Sequence, residues 1–377
     1  MRAWFFTETA YPYLPPQDEF ESIRVQLPNG IFDPHKGADL YHRYLDEWLY
    51  AEDCGLDIML NEHHQTATCM DPAAPIMLGI LARQSRTARL LVLGNPIANR
   101  RDPVRLAEEM AMVDVISRGR VEVGFVRGVP YEISAMNSKP VGMHERLWEA
   151  HDLILKAWTT HDGPFSWESE HFHHRQVNIW PRPWQQPHPP VWVTALSAGS
   201  IAPVADHHYV VATFLTGRDK TRDIFAAYRR RRQERGHGLP DNDRTAYAAL
   251  VYTGETDAAG RAGAEKLMWY ITHNKVPPHF SNPPGYNSVD AVVNVLRSGK
   301  NPYLFGNFSL ETLIEQGIVF AGSPDTVERQ IRQFYDDVGG FGHLLLMGQA
   351  GFLEHDETVT GIRLFGREVY PRLKDLA

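Results

Sequence analysis

The stretch DIMLNEHHQT, Asp57–Thr66, sets Glu62, His63 and His64 in a row behind an apolar run. A carboxylate beside two imidazoles can ligate a metal, run an acid–base pair near neutral pH, or simply end a strand in polar residues. A zinc hydrolase needs separated histidine ligands with carboxylates from other strands. The His-x-His of barrel hydrolases is absent from the first apolar run, RAWFFT, Arg2–Thr7. The second histidine cluster, EHFHH, Glu170–His174, puts His171 and His173 on one face of an expected hairpin. Two ligands are an incomplete metal site, and exposed, hydrogen-bonded histidines are the simpler reading. The two-residue period of a strand points His63 and His64 to opposite faces while the strand persists. Glu62 can orient His63 only if the chain turns there.

A different chemistry shows in GFVRG, Gly124–Gly128, and LSAGS, Leu196–Ser200. Arg127 offers a planar donor fork, and Gly128 lets a backbone come close to a ligand. Ser197, Ala198, Gly199 and Ser200 open a helix, where unpaired N–H groups favour an anion. The plainer alternative makes Ser197 an N-cap and Arg127 a surface ion pair.

The elements that carry these residues alternate. Strands are expected at RAWFFT, LDIML, RLLVLG, RVEVGF, PVWVTA, YVVATFL, RTAYAALVYTG and GHLLLMG, with a helical pattern after each. The helix DPVRLAEEMAMVDVIS opens with Asp102 as N-cap and Pro103 in its first turn. Buried strands without polar alternation, separated by helices, make a parallel sheet. Eight such units predict a closed (β/α)8 TIM barrel, a single domain over residues 1–377. Two insertions interrupt it: about 162–189, after the fourth-strand helix, and about 274–308, after the seventh-strand helix. The second, punctuated by Gly and Pro, reads as a lid. In a barrel the polar residues at the C-terminal strand ends converge on one mouth. The aromatic residues Trp4, Phe5, Phe6, Tyr11, Tyr13, Trp180 and Trp184 are expected near it, with Tyr11, His64 and Tyr131 as substrate-lining residues. That supply suggests an apolar or aromatic ligand.

Composition narrows the classes further. The net charge of −8 argues against a nucleic-acid binder, which needs cationic surface. The basic run YRRRRQERGHG, Tyr228–Gly238, reads as the solvated last turns of a helix ending near Gly236. Cys54 and Cys69 are the two cysteines; no disulfide framework follows, and a cytoplasmic protein is expected. No leader-like segment and no apolar run of about 20 residues predict a chain that is neither targeted nor membrane-spanning.

Four segments in order, GLDIMLNEHH, DPVRLAEEMAMVDVISRGRVEVGFVRG, PRPWQQPHPPVWVTALSAGS and AGSPDTVERQI, resemble the bacterial luciferase-like flavin-dependent monooxygenase family. The resemblance covers most of the chain. It implies a barrel that binds FMN at its C-terminal mouth, with reduced FMN supplied by a separate flavin reductase. O2 then reacts through a peroxyflavin to oxygenate a small organic substrate. Carried over by position, His63 matches the catalytic histidine and Glu62 the acid before it. Arg127, with Gly128, matches the arginine that holds the FMN phosphate. Leu196, Ser197, Ala198, Gly199 and Ser200 match the helix start completing that pocket. Gly94 and Asn95 match the segment, often with a non-prolyl cis peptide, that lies against the flavin ring. The 274–308 insertion matches a mobile active-site loop, and a homodimer through the helices after the second and third strands is implied. Val126 stands where luciferase has cysteine, and Leu196 where it has an acid; these departures count against the light-emitting aldehyde reaction but not against flavin binding. No G-x-G-x-x-G turn offers a nicotinamide site. The alternatives are a deazaflavin-dependent oxidoreductase of the same superfamily and a non-catalytic flavin-binding paralogue.

Overall fold

The computed structural model describes residues 1–238, 242–273, 275–298 and 308–376. Parallel strands form a ring: β1 (Arg2–Thr7), β2 (Asp57–Leu60), β3 (Leu90–Pro96), β4 (Val121–Val126), β7 (Val191–Thr194), β8 (Val210–Phe214), β9 (Thr245–Thr253) and β11 (His343–Gln349). β11 closes the ring by pairing with β1, Arg2 beside His343. These are the strands expected from the apolar runs. The insertion after the fourth-strand helix forms the antiparallel hairpin β5 (Phe165–Glu168) and β6 (His173–Val177). One strand was not foreseen. β10, Val319–Gly322, pairs with the second half of β9, whose first half pairs with β8.

The strands read as continuous apolar runs because both faces are buried. Trp4, Phe6, Met59, Leu91, Leu93, Leu345 and Met347 point into the barrel. Ala3, Phe5, Ile58, Leu60, Leu90, Val92, Leu344 and Leu346 pack outward against the helices. At the N-terminal end the interior is plugged. Trp4 donates its indole N–H to His343 Nδ1 at 3.1 Å, and His343 Nε2 donates to the Asp243 carbonyl at 2.8 Å. Burial pushes the His343 imidazole down to about 3, so it stays neutral in that tautomer. Trp192 stands edge-on to Trp4 and donates to Glu122.

The helices start where the sequence caps them. Asp33 accepts from His35 and Lys36 at the head of Pro34–Asp53, and Asp102 accepts from Val104 and Arg105 at the head of Pro103–Ser117. The basic helix Gly217–Glu234 is less solvated than its composition suggests. Arg232 is buried and donates to the Ala205 carbonyl, while Arg229 donates to the Gly340 carbonyl. Asp206 takes Arg231 and Arg235 together. No described helix is long and apolar enough to cross a membrane.

Candidate active site

β2 stops at Leu60, so Asn61–His64 form a turn, not the end of a strand. The turn is held by His63 N–H on the Asp71 carbonyl at 3.2 Å. It is tied to the loop after β1 by Met70 N–H on Thr9 and Tyr11 N–H on Ala67, both at 2.9 Å. The turn splits the Glu-His-His triplet. His63 Nδ1 lies 2.8 Å from Glu132 Oε1, on the short helix Glu132–Ala135 after β4. Glu132 is buried and also accepts from the backbone of His64 and Val129. Burial pushes its carboxyl up, but the charge and hydrogen bond of His63, with His64 and Arg24, outweigh that and hold it below the usual glutamate value.

Glu62 goes the other way. It is buried against the Arg100 guanidinium at 2.8 Å, accepts His64 Nε2 at 3.1 Å, and takes the Ala74 N–H at the head of the helix Ala74–Gln84. The carboxylate that orients His63 is therefore Glu132, not Glu62. Among the described residues no group of three or more His, Cys, Asp or Glu side chains is placed to hold a metal. His173 of the hairpin pairs with Glu168 on the surface.

Below His63 lies a buried polar layer. Glu8, at the end of β1, accepts Asn61 Nδ2 at 3.0 Å. Burial pushes its carboxyl above the usual range against the pull of His63 and Arg24. Arg24, on the short helix Ile23–Gln26 after β1, is buried and donates to Thr68 Oγ1 at 2.8 Å and to the Tyr131 hydroxyl at 2.9 Å. Its guanidinium lies 4.9 Å from the Tyr131 ring centre and 5.9 Å from that of Tyr270. Tyr131 is in turn 6.3 Å from the His63 ring. Tyr11 is placed elsewhere: it is buried against Tyr13 and Phe32, and its hydroxyl accepts the Asp33 N–H.

On the adjoining wall, β3 and β4 come unusually close. The Leu93–Gly94 peptide is cis. A Cβ on Gly94 would sit 2.3 Å from Val126 Cγ1, and one on Gly124 would sit 2.4 Å from Leu93 Cδ1. Asn95 is fully buried, donates to the Gly124 carbonyl at 3.0 Å, and keeps Oδ1 without a partner. Gly128 holds φ at +92°, and a Cβ there would meet Asn99 Nδ2 at 2.4 Å.

Arg127 follows β4, and its neighbour strand β7 leads to Leu196–Ser200; Phe125 pairs with Val193. Leu196–Gly199 are exposed, and no side chain caps either the turn Ala198–Ser200 or the helix Ile201–Asp206. Arg127 donates through Nε to the Tyr286 hydroxyl at 3.0 Å. Among the described residues no carboxylate pairs with it and none hydrogen-bonds its terminal nitrogens. A half-buried cation with its fork unfilled, beside uncapped N–H groups and a glycine that lets backbone approach, suits the phosphate end of a flavin.

Of the aromatic residues expected at the mouth, Phe6 is there, but several others are not. Trp4 belongs to the N-terminal plug, while Trp180 and Trp184 stand exposed in the loop before β7. Near the mouth are Phe6, Phe214 and Tyr270, in edge contacts of 6.4 and 6.1 Å. Sequence reasoning also missed Glu132, Glu8, Arg24, Arg100 and Tyr286. Only Glu132 left a signal, an acid in the same loop as Arg127 at the mouth end of a strand.

Residues 26–340 match the luciferase-like monooxygenase family. The chain belongs to that family. It is 28% identical over 346 residues to the alkanal monooxygenase alpha chain of Photorhabdus luminescens, covering 86% of this chain and 89% of that one. It is 30% identical over 176 residues to the oxygenase component of a flavin-dependent trigonelline monooxygenase of Acinetobacter baylyi. That second match spans 45% of this chain and only about half, 47%, of the relative. The same fold is found in the oxygenating constituent of 3,6-diketocamphane monooxygenase from Pseudomonas putida, solved with FMN, at TM-score 0.71, 18% identity and 99% and 98% coverage. It is also found in an F420-dependent secondary alcohol dehydrogenase, at TM-score 0.67, 13% identity and 98% coverage of both chains. At these identities the two structures speak for the fold alone.

Proposed function

We propose that this chain, acting as one domain, is the oxygenase component of a two-component FMN-dependent monooxygenase. It takes reduced FMN from a separate reductase and oxygenates a small apolar or aromatic substrate with O2. The observation that carries the reading is the pairing, across one barrel mouth, of the open Arg127 fork with the His63–Glu132 dyad. Bound reduced FMN supplies the electrons that let one oxygen atom of O2 enter the substrate while the other leaves as water.

Arg127 and the N–H groups of Ser197, Ala198 and Gly199 bear the phosphate charge, while that of Ser200 closes the turn on the Ser197 carbonyl. The face made by Leu93, Gly94 and Asn95 orients the ring, and Asn95 Oδ1 is an acceptor in that wall. Glu132 fixes the His63 ring through Nδ1, which leaves Nε2 to take or give a proton. Arg24, Tyr131 and Tyr270 wall the mouth with a buried cation and two rings, and the segment carrying Tyr286 keeps water out. His64 and Glu62 brace the turn through Arg100.

A deazaflavin-dependent hydride transfer is the second reading, favoured by the fold shared with the F420-dependent dehydrogenase. In a cytoplasmic homodimer the contact would run through Ala74–Gln84 and Pro103–Ser117, which expose Ile76, Ile80, Met112, Val115 and Ile116.

The dyad is tested by His63→Ala and Glu132→Gln. Both should keep FMN affinity, and His63→Ala should slow oxygen-dependent turnover by about a hundredfold or more. Glu132→Gln should fall between and shift the pH profile. Undiminished turnover in His63→Ala removes it from the role.

A further inference from the structure

We propose that Tyr286, on the segment between β9 and β10, is the residue that sets Arg127 for the flavin phosphate, so that seating of this segment and grip on the phosphate are coupled. The inference rests on the flavin reading above. It starts from how Arg127 is held. Its guanidinium carbon lies 4.1 Å from the Tyr286 ring centre, within cation–π range. The Tyr286 hydroxyl accepts Arg127 Nε–H at 3.0 Å and donates to the Gly128 carbonyl at 3.3 Å. Tyr286 thus covers one face and the Nε edge, and it ties that arrangement to the backbone of the next residue.

What remains is the edge made by the two terminal nitrogens, the edge that meets phosphate oxygens in pairs. An unsupported arginine has many rotamers to lose on binding; this one has lost them already. Among the described residues no carboxylate performs that task, which matters, because an acid beside Arg127 would repel the anion it is meant to hold. A tyrosine positions the cation without cancelling it. A tyrosine plugging the phosphate position would instead take the terminal edge, whereas here its hydroxyl lies on Nε.

The segment is seated on both sides of the mouth. Ser22, from the loop after β1, donates to the Lys275 carbonyl at 2.6 Å. Gly285 has φ +87°, and a Cβ there would lie 2.6 Å from Val141 Cγ2 beyond β4. Tyr286 itself is buried in the main core cluster.

The test compares FMN with riboflavin, which lacks only the phosphate, by flavin-fluorescence titration of the full chain and of Tyr286→Ala and Tyr286→Phe. The wild type should prefer FMN. Tyr286→Ala should weaken FMN by about tenfold, the loss of roughly one charge-assisted contact, and leave riboflavin affinity unchanged, which also shows that the variant is folded. Tyr286→Phe keeps the ring and should lose less. FMN should protect the wild type from trypsin at Lys275 and Arg297 more than it protects Tyr286→Ala. An FMN-to-riboflavin preference unchanged in Tyr286→Ala, or FMN binding made tighter, overturns the proposal and leaves the flavin reading standing. A wild type that binds neither flavin overturns both.

Discussion

His63 sits between two carboxyl groups that their surroundings push in opposite directions. Glu132 is held low by His63, His64 and Arg24, which face it, and Glu8 is raised by burial. Such divergence between neighbouring acids marks out a charged partner and a proton-retaining one. It has a consequence for stability. Glu8 keeps its proton in the fold at pH values where the unfolded chain has released it, so stability falls as pH rises from the ordinary glutamate range through Glu8's raised value. Glu8→Gln has no proton to lose and can still accept from Asn61. In urea unfolding across that interval, the wild type should lose stability relative to Glu8→Gln; parallel curves would show that Glu8 is not held neutral. The sequence singles out His63, Arg127 and Gly94 because each stands at or just past the end of a predicted strand. Glu8 and Arg24 were not. An acid in FTETA and an arginine in ESIRVQ look like ordinary loop polarity until a closed barrel brings them beneath the histidine turn.

The strands and helices were the most legible level. A parallel barrel buries both faces of every strand, so strands announce themselves as apolar runs, and Asp102–Pro103 marks a helix start on its own. β10 escaped because four residues after a long insertion carry little pattern, and their partner is the far half of β9. Phe6 apart, the expected mouth aromatics were misplaced for a related reason. Composition tells which residues are aromatic, whereas depth along the strand decides whether Trp4 meets a ligand or His343. The β3–β4 contact invites a direct test. Gly94→Ala places a methyl group 2.3 Å from Val126 Cγ1, so the two strands or the Val126 side chain must shift. It should cost about 1–3 kcal/mol in denaturant unfolding, and Val126→Ala should relieve part of that loss. Wild-type stability in Gly94→Ala would mean the two strands are not so closely set.

For the assembled protein, two consequences can be measured. The exposed apolar residues of the helices Ala74–Gln84 and Pro103–Ser117 include Ile76, 67% exposed, and Met112, 50% exposed. Buried between two copies, they would make a stable contact. Ile76→Asp should turn a dimer into a monomer in sedimentation velocity, while a wild type that sediments as a monomer removes that contact. The central claim is that this mouth holds reduced FMN for reaction with oxygen. Anaerobic titration of the chain with reduced FMN tests it most directly, with reduced deazaflavin alongside and Arg127→Ala as the comparison. The account predicts saturable binding of reduced FMN, weakened by Arg127→Ala and stronger than that of the deazaflavin. Failure to bind reduced FMN, or a preference for the deazaflavin, would contradict it.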